Sequence, residues 1–251
     1  MKNDSKSAIY DSPSVRRALN GEASIDAIGA FKQAHELTKS SFSVMAAASA
    51  IVFAVGALVL AMSLQFFGIP IEEYIASASP QKAITDIVLL LVISPLMAGL
   101  LMMGIDRARG HSPQVLDLFK WLKIAIVLAL GSLIASILMQ IGLSLFILPG
   151  LYIAIATTFT LTLIADKNLT AISAIMLSIR VVNRYFSQFV LFFVISFAIF
   201  AVIAFTMFIA GIWLLPLYFN AKGVLYNELF SEEKADQQEV VNDMQGSTFD
   251  A

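Results

Sequence analysis

Long uncharged stretches of apolar residues dominate the pattern of this chain, and their lengths match those of membrane-spanning helices. A helix needs about 20 mostly apolar residues to cross roughly 30 Å of bilayer hydrocarbon. Six segments meet or approach this requirement: 44–67, 87–105, 124–142, 147–165, 189–209 and 212–229. The pattern therefore predicts an all-α fold, a polytopic transmembrane helical bundle with six spans.

Two of the uncharged stretches are too long for one span, so each must contain a turn. Between residues 124 and 165 the available breakers are Gly142 and Leu148-Pro149-Gly150, and proline is favoured in the first turn of a helix. Between residues 189 and 221 we expect the turn at Ala210-Gly211. The sixth predicted span contains four polar residues, Asn220, Lys222, Asn227 and Glu228. A five-span fold that lacks this segment is therefore the alternative.

The positions of Lys and Arg predict the orientation of the bundle. With six spans, 15 of the 16 Lys and Arg residues fall on one side of the membrane. Lys82 alone falls on the other side, in a loop that also contains Glu72, Glu73 and Asp86. Because short cytoplasmic segments are enriched in Lys and Arg, both termini are predicted to be cytoplasmic.

An amphipathic stretch precedes each predicted pair of spans. These stretches begin at Ser24, Ser112 and Thr170, residue types that favour the N-cap of a helix. We predict cytoplasmic amphipathic helices that lie in the membrane interface. The first and third stretches align without gaps, which suggests a threefold repeat of interfacial helix and hairpin; chance similarity between loops is the alternative.

The two ends of the chain differ from the apolar segments between them. Residues 1–20 are polar, and residues 231–251 are acidic with little apolar content. Such segments cannot bury enough apolar surface to fold on their own. They are predicted to be disordered tails, which leaves 21–230 as the membrane domain.

Composition narrows the possible partners and chemistry. The chain has 59% hydrophobic and 14% charged residues, whereas soluble domains carry about 25% charged residues. The lipid bilayer is therefore the expected surrounding. A Lys/Arg-rich patch with interleaved aromatic residues is missing from the sequence, so nucleic acid is not an expected partner. Because the chain has no cysteine, disulfides, thiol nucleophiles and Cys-bound metals are excluded.

Polar residues inside the predicted spans are the candidates for a functional site. Thr158, Thr162 and Asp166 follow one another at i, i+4 spacing, and with Lys222 they form a candidate polar seam. In one interpretation this seam is a hydrophilic path in which Lys222 pairs with Asp166 or Glu228. In the other, the threonine hydroxyls bond carbonyls of their own helix, Asp166 ends the span and Lys222 extends to the headgroups.

Ionisable residues are absent from the first five predicted spans, although such residues usually mark a functional pathway in membrane proteins. His35 and His111 both fall in predicted cytoplasmic segments. The sequence offers no cluster of metal ligands and no nucleophile paired with a base. We therefore expect no cofactor, no metal and no enzymatic activity, and we do not expect a proton-driven carrier.

One region of the chain resembles a known family. The motifs are Leu148-Pro-Gly-Leu-Tyr152, the run from Leu163 through Asp166 to Ile175, then Ser178 and Asn183-Arg-Tyr-Phe186. They resemble uncharacterised six-span bacterial inner-membrane proteins of the YciC type, and are similar to the membrane domain of some glycerophosphodiester phosphodiesterases. The similarity covers about residues 148–226. It implies a bacterial inner membrane and an unassigned role, and it carries no catalytic residue to transfer.

Two functional hypotheses fit these observations. The first is a non-enzymatic protein that organises envelope components or binds a membrane-protein partner, including a second copy of itself. The second is a transporter of a small molecule or lipid that uses the polar seam of span four.

Overall fold

The computed structural model describes residues 12–76 and 79–232, which form ten α-helices and one 3₁₀ helix. The helices are α1 (Pro13–Asn20), α2 (Ala27–Phe67), α3 (Ile71–Ala76), α4 (Pro80–Ala108), the 3₁₀ helix (Val115–Ile124), α5 (Ala125–Leu145), α6 (Ile147–Ala156), α7 (Thr160–Lys167), α8 (Ala171–Arg184), α9 (Phe186–Phe205) and α10 (Gly211–Phe230).

Five helical segments are long and apolar enough to cross a membrane. They are α2, α4, the 3₁₀ helix joined to α5, the pair α6–α7, and α9. This confirms the prediction of an all-α, multi-pass membrane protein. The segment α10 is not among the five, so the number six stays a prediction.

The helix α10 lies at the centre of the bundle, packed along α2 and α4. Most of its residues are buried, including Asn220, Lys222 and Asn227. A Cβ atom added at Gly223 would lie 2.3 Å from the carbonyl carbon of Gly104 on α4, so the two backbones are in contact there. Protein encloses α10 from Phe219 to Asn227, where every residue is buried, which explains why this part can hold polar residues that a lipid-facing span excludes.

The three predicted amphipathic helices differ in the structure. The first is continuous with the first span in α2, with a kink at Ser41, and its N-cap is Asp26 rather than Ser24. The second is the 3₁₀ helix, whose N-cap is Gln114 rather than Ser112. The third, α8, begins as predicted, because the Thr170 hydroxyl accepts a hydrogen bond from the Ser173 N–H. The predicted caps at Ser24 and Ser112 are wrong, since the chain enters the helix two residues later in each case.

The prediction of a disordered N-terminal tail is wrong for residues 13–20, which form α1. Val15 and Ala18 of this short helix are fully buried in the core. Its partners come from the other end of the chain: the Ser14 hydroxyl donates to Glu232 at 2.6 Å, and Arg17 donates to the carbonyl of Glu228 at 2.6 Å. These long-range contacts are invisible to a local pattern. Residues 1–11 and 233–251 of the two predicted tails lie outside the described residues.

Candidate functional site

The fourth predicted span is broken in its middle, between α6 and α7. A single side chain from α8 satisfies the backbone at this break. The hydroxyl of Ser178 donates to the carbonyl of Ala156 at 2.7 Å and accepts from the N–H of Phe159 at 3.2 Å. Ser178 is fully buried, so these bonds replace two that a continuous helix would make.

The break removes Thr158 from the helix that holds Thr162 and Asp166. Thr162 is buried and donates to the carbonyl of Phe159 at 2.8 Å, as the alternative interpretation predicts. Thr158 lies within the break and lines a cavity there. The continuous i, i+4 row therefore does not form, because residues 157–159 leave the helix.

Asp166 belongs to a polar cluster at one end of the bundle, which we call the charged end. Arg109 donates to both carboxylate oxygens of Asp166, at 3.0 and 3.1 Å. The hydroxyl of Tyr226 donates to the same carboxylate at 2.9 Å. The pairing of Asp166 with Lys222 that the sequence allowed is thus replaced by a pairing with Arg109, from the loop after α4.

A second ion pair lies beside this cluster. Lys167 donates to the carboxylate of Glu232 at 2.6 Å, the same oxygen that Ser14 contacts. Partial burial alone would raise the pKa of Glu232, but the hydrogen bonds from Lys167 and Ser14 outweigh it and hold the pKa below its ordinary value. Through Glu232, which follows α10, these bonds link α1 to the end of α7.

A cavity of about 360 Å³ opens between α5, the α6–α7 break, α9 and α10. Its volume lies within the roughly 300–1,000 Å³ that is usual for small-molecule sites. One wall is aromatic and comes from α9, where Phe189, Phe193 and Phe197 follow at i, i+4 spacing. The lining also carries six hydroxyl groups, one from α9 itself and five from the other segments: Ser196, and Ser132, Thr157, Thr158, Thr160 and Tyr218.

Lys222 is the only charged residue among those that line this cavity. Its side chain is 9% exposed, so it does not extend to the headgroups as the alternative interpretation of the sequence has it. Within ranges 12–76 and 79–232, the Lys222 ammonium makes no hydrogen bond or ion pair. A lysine that is mostly enclosed by protein and has no partner for its charge is costly, and Lys222 is therefore the residue of the cavity that most strongly indicates a ligand.

The hydroxyl groups of the cavity fall into two classes. Thr157, Thr160 and Ser196 donate their protons to carbonyls of their own helical segments, at 2.7–2.8 Å. Tyr218, Thr158 and Ser132 donate no such bond among the described residues, although Ser132 accepts one from the Ser94 hydroxyl at 3.0 Å. Tyr218 lies one turn from Lys222 on α10, so both residues present unused donors to the same space.

The mouth of the cavity opens on the outer surface of the bundle. Phe197 is 71% exposed and Phe200 is 43% exposed at this edge. The helices α5 and α9 flank the opening and make little direct contact with each other. Exposed aromatic side chains of this kind face lipid in a membrane-spanning bundle.

Sequence reasoning found Lys222 and Thr158 but missed the remaining parts of the cavity. Ser132 and Ser196 are lone hydroxyls in apolar spans, and α9 carries phenylalanines at helical spacing. Both signals are common in membrane helices that only pack against one another. Without the helix arrangement, nothing separated these residues from their neighbours.

Comparisons with known proteins identify no relative of this chain. No family model, no curated protein and no solved structure matches the chain. Among the described residues, no three His, Asp or Glu side chains lie close enough together to hold a metal ion. The resemblance to YciC-type proteins therefore stays a prediction.

Proposed function

We propose that this protein is a binding or transport protein for a small molecule or lipid, which it holds in the cavity between α5, α6–α7, α9 and α10. The observation that carries the proposal is the unpaired, buried Lys222 on the wall of a cavity of ligand size. The aromatic wall and the free donors of Tyr218 and Thr158 fit the usual composition of such sites, apolar with a few placed polar groups.

We further propose that the protein lies in a bacterial inner membrane with six spans and with both termini in the cytoplasm. The concentration of Lys and Arg at the predicted cytoplasmic side supports the orientation, and the YciC-type resemblance supports the location. The helix α10, at 20 residues, is long enough to serve as the sixth span.

Filling the cavity tests the proposed function. Ala135 of α5 lines the cavity, and Ala135→Trp places an indole in it. The control is Ile137→Trp, on the same helix at a side chain that is already 46% exposed. We expect protein purified from native membranes to retain a bound lipid or small molecule in native mass spectrometry. Ala135→Trp should lose it and Ile137→Trp should keep it. Equal retention by both variants would overturn the proposal.

Cysteine accessibility tests the number of spans. The chain has no cysteine, so each single substitution gives an unambiguous label. With six spans, Ser231→Cys, just after α10, reacts with a membrane-impermeant thiol reagent from the same side as Gly110→Cys. Gly68→Cys and Thr206→Cys react from the opposite side. Labelling of Ser231→Cys from the Thr206 side would exclude the sixth crossing.

A partner-binding role in the envelope is the competing proposal from the sequence. It predicts that crosslinking in native membranes recovers one specific partner, and that Ala135→Trp rescues a deletion phenotype as well as the wild type does. Failure of Ala135→Trp to rescue, with normal expression and stability, would instead favour the cavity.

A further inference from the structure

The chemistry of the cavity identifies the class of ligand, an inference that rests on the proposed function. Its one charged group within the described residues is the Lys222 ammonium, which donates hydrogen bonds and cannot accept them. The hydroxyls of Tyr218, Thr158 and Ser132 also keep protons that they can donate. The hydroxyl protons of Thr157, Thr160 and Ser196 are already donated to backbone carbonyls. A cavity with spare donors and a positive charge complements a group that only accepts hydrogen bonds and is negative.

The position of Lys222 gives the depth of that negative group. Lys222 precedes Tyr226 by one helical turn on α10, which is about 6 Å along the axis. Tyr226 bonds Asp166 at the charged end of the bundle. Lys222 is therefore one helical turn from the charged end along α10, and the negative group of a ligand would lie at the same level.

The shape of the cavity indicates which kind of group is attached to the negative group of the ligand. From the level of Phe189, the aromatic wall of α9 runs away from the charged end to Phe200, eleven residues or about 16 Å further along the helix. The exposed rings of Phe197 and Phe200 stand at the mouth. A chain attached to a group at Lys222 can follow these rings and leave the bundle sideways between α5 and α9.

From these observations we infer that the cavity binds an anionic amphiphile, whose negatively charged oxygen group pairs with Lys222 and whose acyl chain leaves along α9 into the bilayer. Tyr218 and Thr158 supply further hydrogen bonds to the same oxygen group. The amphiphile enters from the membrane rather than from water. Its burial offsets the cost of keeping the Lys222 ammonium out of solvent.

The test measures binding of phosphatidylglycerol and of diacylglycerol, which has the same acyl chains and no charged group, to the detergent-purified full chain by native mass spectrometry. We expect phosphatidylglycerol to bind about tenfold tighter or more, the fold-change that one charge-assisted hydrogen bond provides. Lys222→Met should remove this preference, and Lys222→Arg should retain most of it. Unchanged preference in Lys222→Met would overturn the inference.

Two further arms separate the possible failures. If both lipids bind equally to the wild type but Ala135→Trp binds neither, the inference of an anionic ligand is wrong and the proposed function stands. If inorganic phosphate at millimolar concentration displaces phosphatidylglycerol, the group is recognised without a chain, and the inference of an amphiphile is wrong.

One measurement needs no variant, in case a substitution at Lys222 prevents folding. Phosphatidylglycerol should raise the thermal midpoint of the wild-type protein, because a ligand that binds only the folded state stabilises it. Diacylglycerol at the same concentration should raise it less. An equal rise with both lipids would count against the anionic ligand.

Discussion

Arg109, just after α4, holds Asp166, near the end of α7, by two parallel hydrogen bonds of 3.0 and 3.1 Å. The two residues are 57 positions apart in the sequence. Their side chains are 26% and 13% exposed, and Tyr226 of α10 adds a third bond to the carboxylate. One ion pair thus joins three helices at the charged end, directly above the level of Lys222.

Removal of either partner of this pair should destabilise the bundle. Asp166→Asn leaves the Arg109 guanidinium without its carboxylate, and Arg109→Gln leaves the Asp166 carboxylate without its guanidinium. Each change should lower the free energy of unfolding by about 2 kcal/mol, because the remaining charge is mostly buried. Arg109→Lys should recover little, because an ammonium cannot reproduce the two-point contact. Thermal unfolding in detergent measures the effect.

A double-mutant cycle separates this pair from nonspecific damage. The double variant should lose less stability than the sum of the single variants. The exposed pair Lys39–Glu36 is the matched control, for which Lys39→Ala should change stability by less than about 1 kcal/mol. Strict additivity at Arg109 and Asp166 would show that the two residues do not act together.

The close contact between α4 and α10 should not tolerate a side chain at Gly104 or Gly223. At Gly104 a Cβ atom would lie 2.4 Å from the carbonyl oxygen of Phe219, a backbone atom that cannot move alone. Gly104→Ala and Gly223→Ala should each destabilise the protein by about 1–3 kcal/mol, because they force the helices apart. At Gly56 the nearest atom is the flexible end of Ile93, at 3.2 Å, so Gly56→Ala should be nearly neutral. Comparable losses at all three positions would contradict the close crossing.

Stability should depend on pH through Glu232. The pKa of Glu232 is lowered in the folded protein by its bonds to Lys167 and Ser14, despite partial burial. A lowered folded-state pKa means that the stabilisation is complete above the ordinary glutamate pKa and is lost as the pH falls through the folded value. The thermal midpoint should therefore decrease below about pH 4.5, and Glu232→Gln should flatten this decrease. The exposed Glu72 of α3 is the control position. Glu72→Gln should leave the pH dependence of the thermal midpoint the same as in the wild type.

The break between α6 and α7 should depend on one hydroxyl. Ser178→Ala leaves the N–H of Phe159 without its partner and removes a bond to Ala156, which should cost about 1–3 kcal/mol. Ser136 offers the control, because its hydroxyl bonds only the carbonyl of Leu133 in its own helix. Thermal unfolding that ranks Ser136→Ala as the more damaging change would contradict this role. Since the break shapes the cavity, Ser178→Ala should also weaken retention of its ligand.

The sequence alone determined the helical class and the presence of several segments able to cross a membrane, because both follow from the length and polarity of contiguous segments. Phe67 ends both the predicted first span and α2, and Gly211, at the predicted turn, begins α10. Thr170 caps α8 as predicted. This cap is also visible in the sequence, because an N-cap hydrogen bond joins residues only three positions apart.

Only the tertiary structure decided which polar residues act together. The pairing of Asp166 with Arg109, the packing of α1 against the end of α10, and the break at residues 157–159 all depend on contacts between distant segments. The prediction from the sequence and the structure differ most at α10. Its polar residues mark it as the least typical span in the sequence, yet in the structure they mark the centre of the bundle, because a helix surrounded by protein is not required to be apolar on every face. Lys222 is therefore neither paired with Asp166 nor extended to the headgroups, but lines a cavity that four helical segments create together.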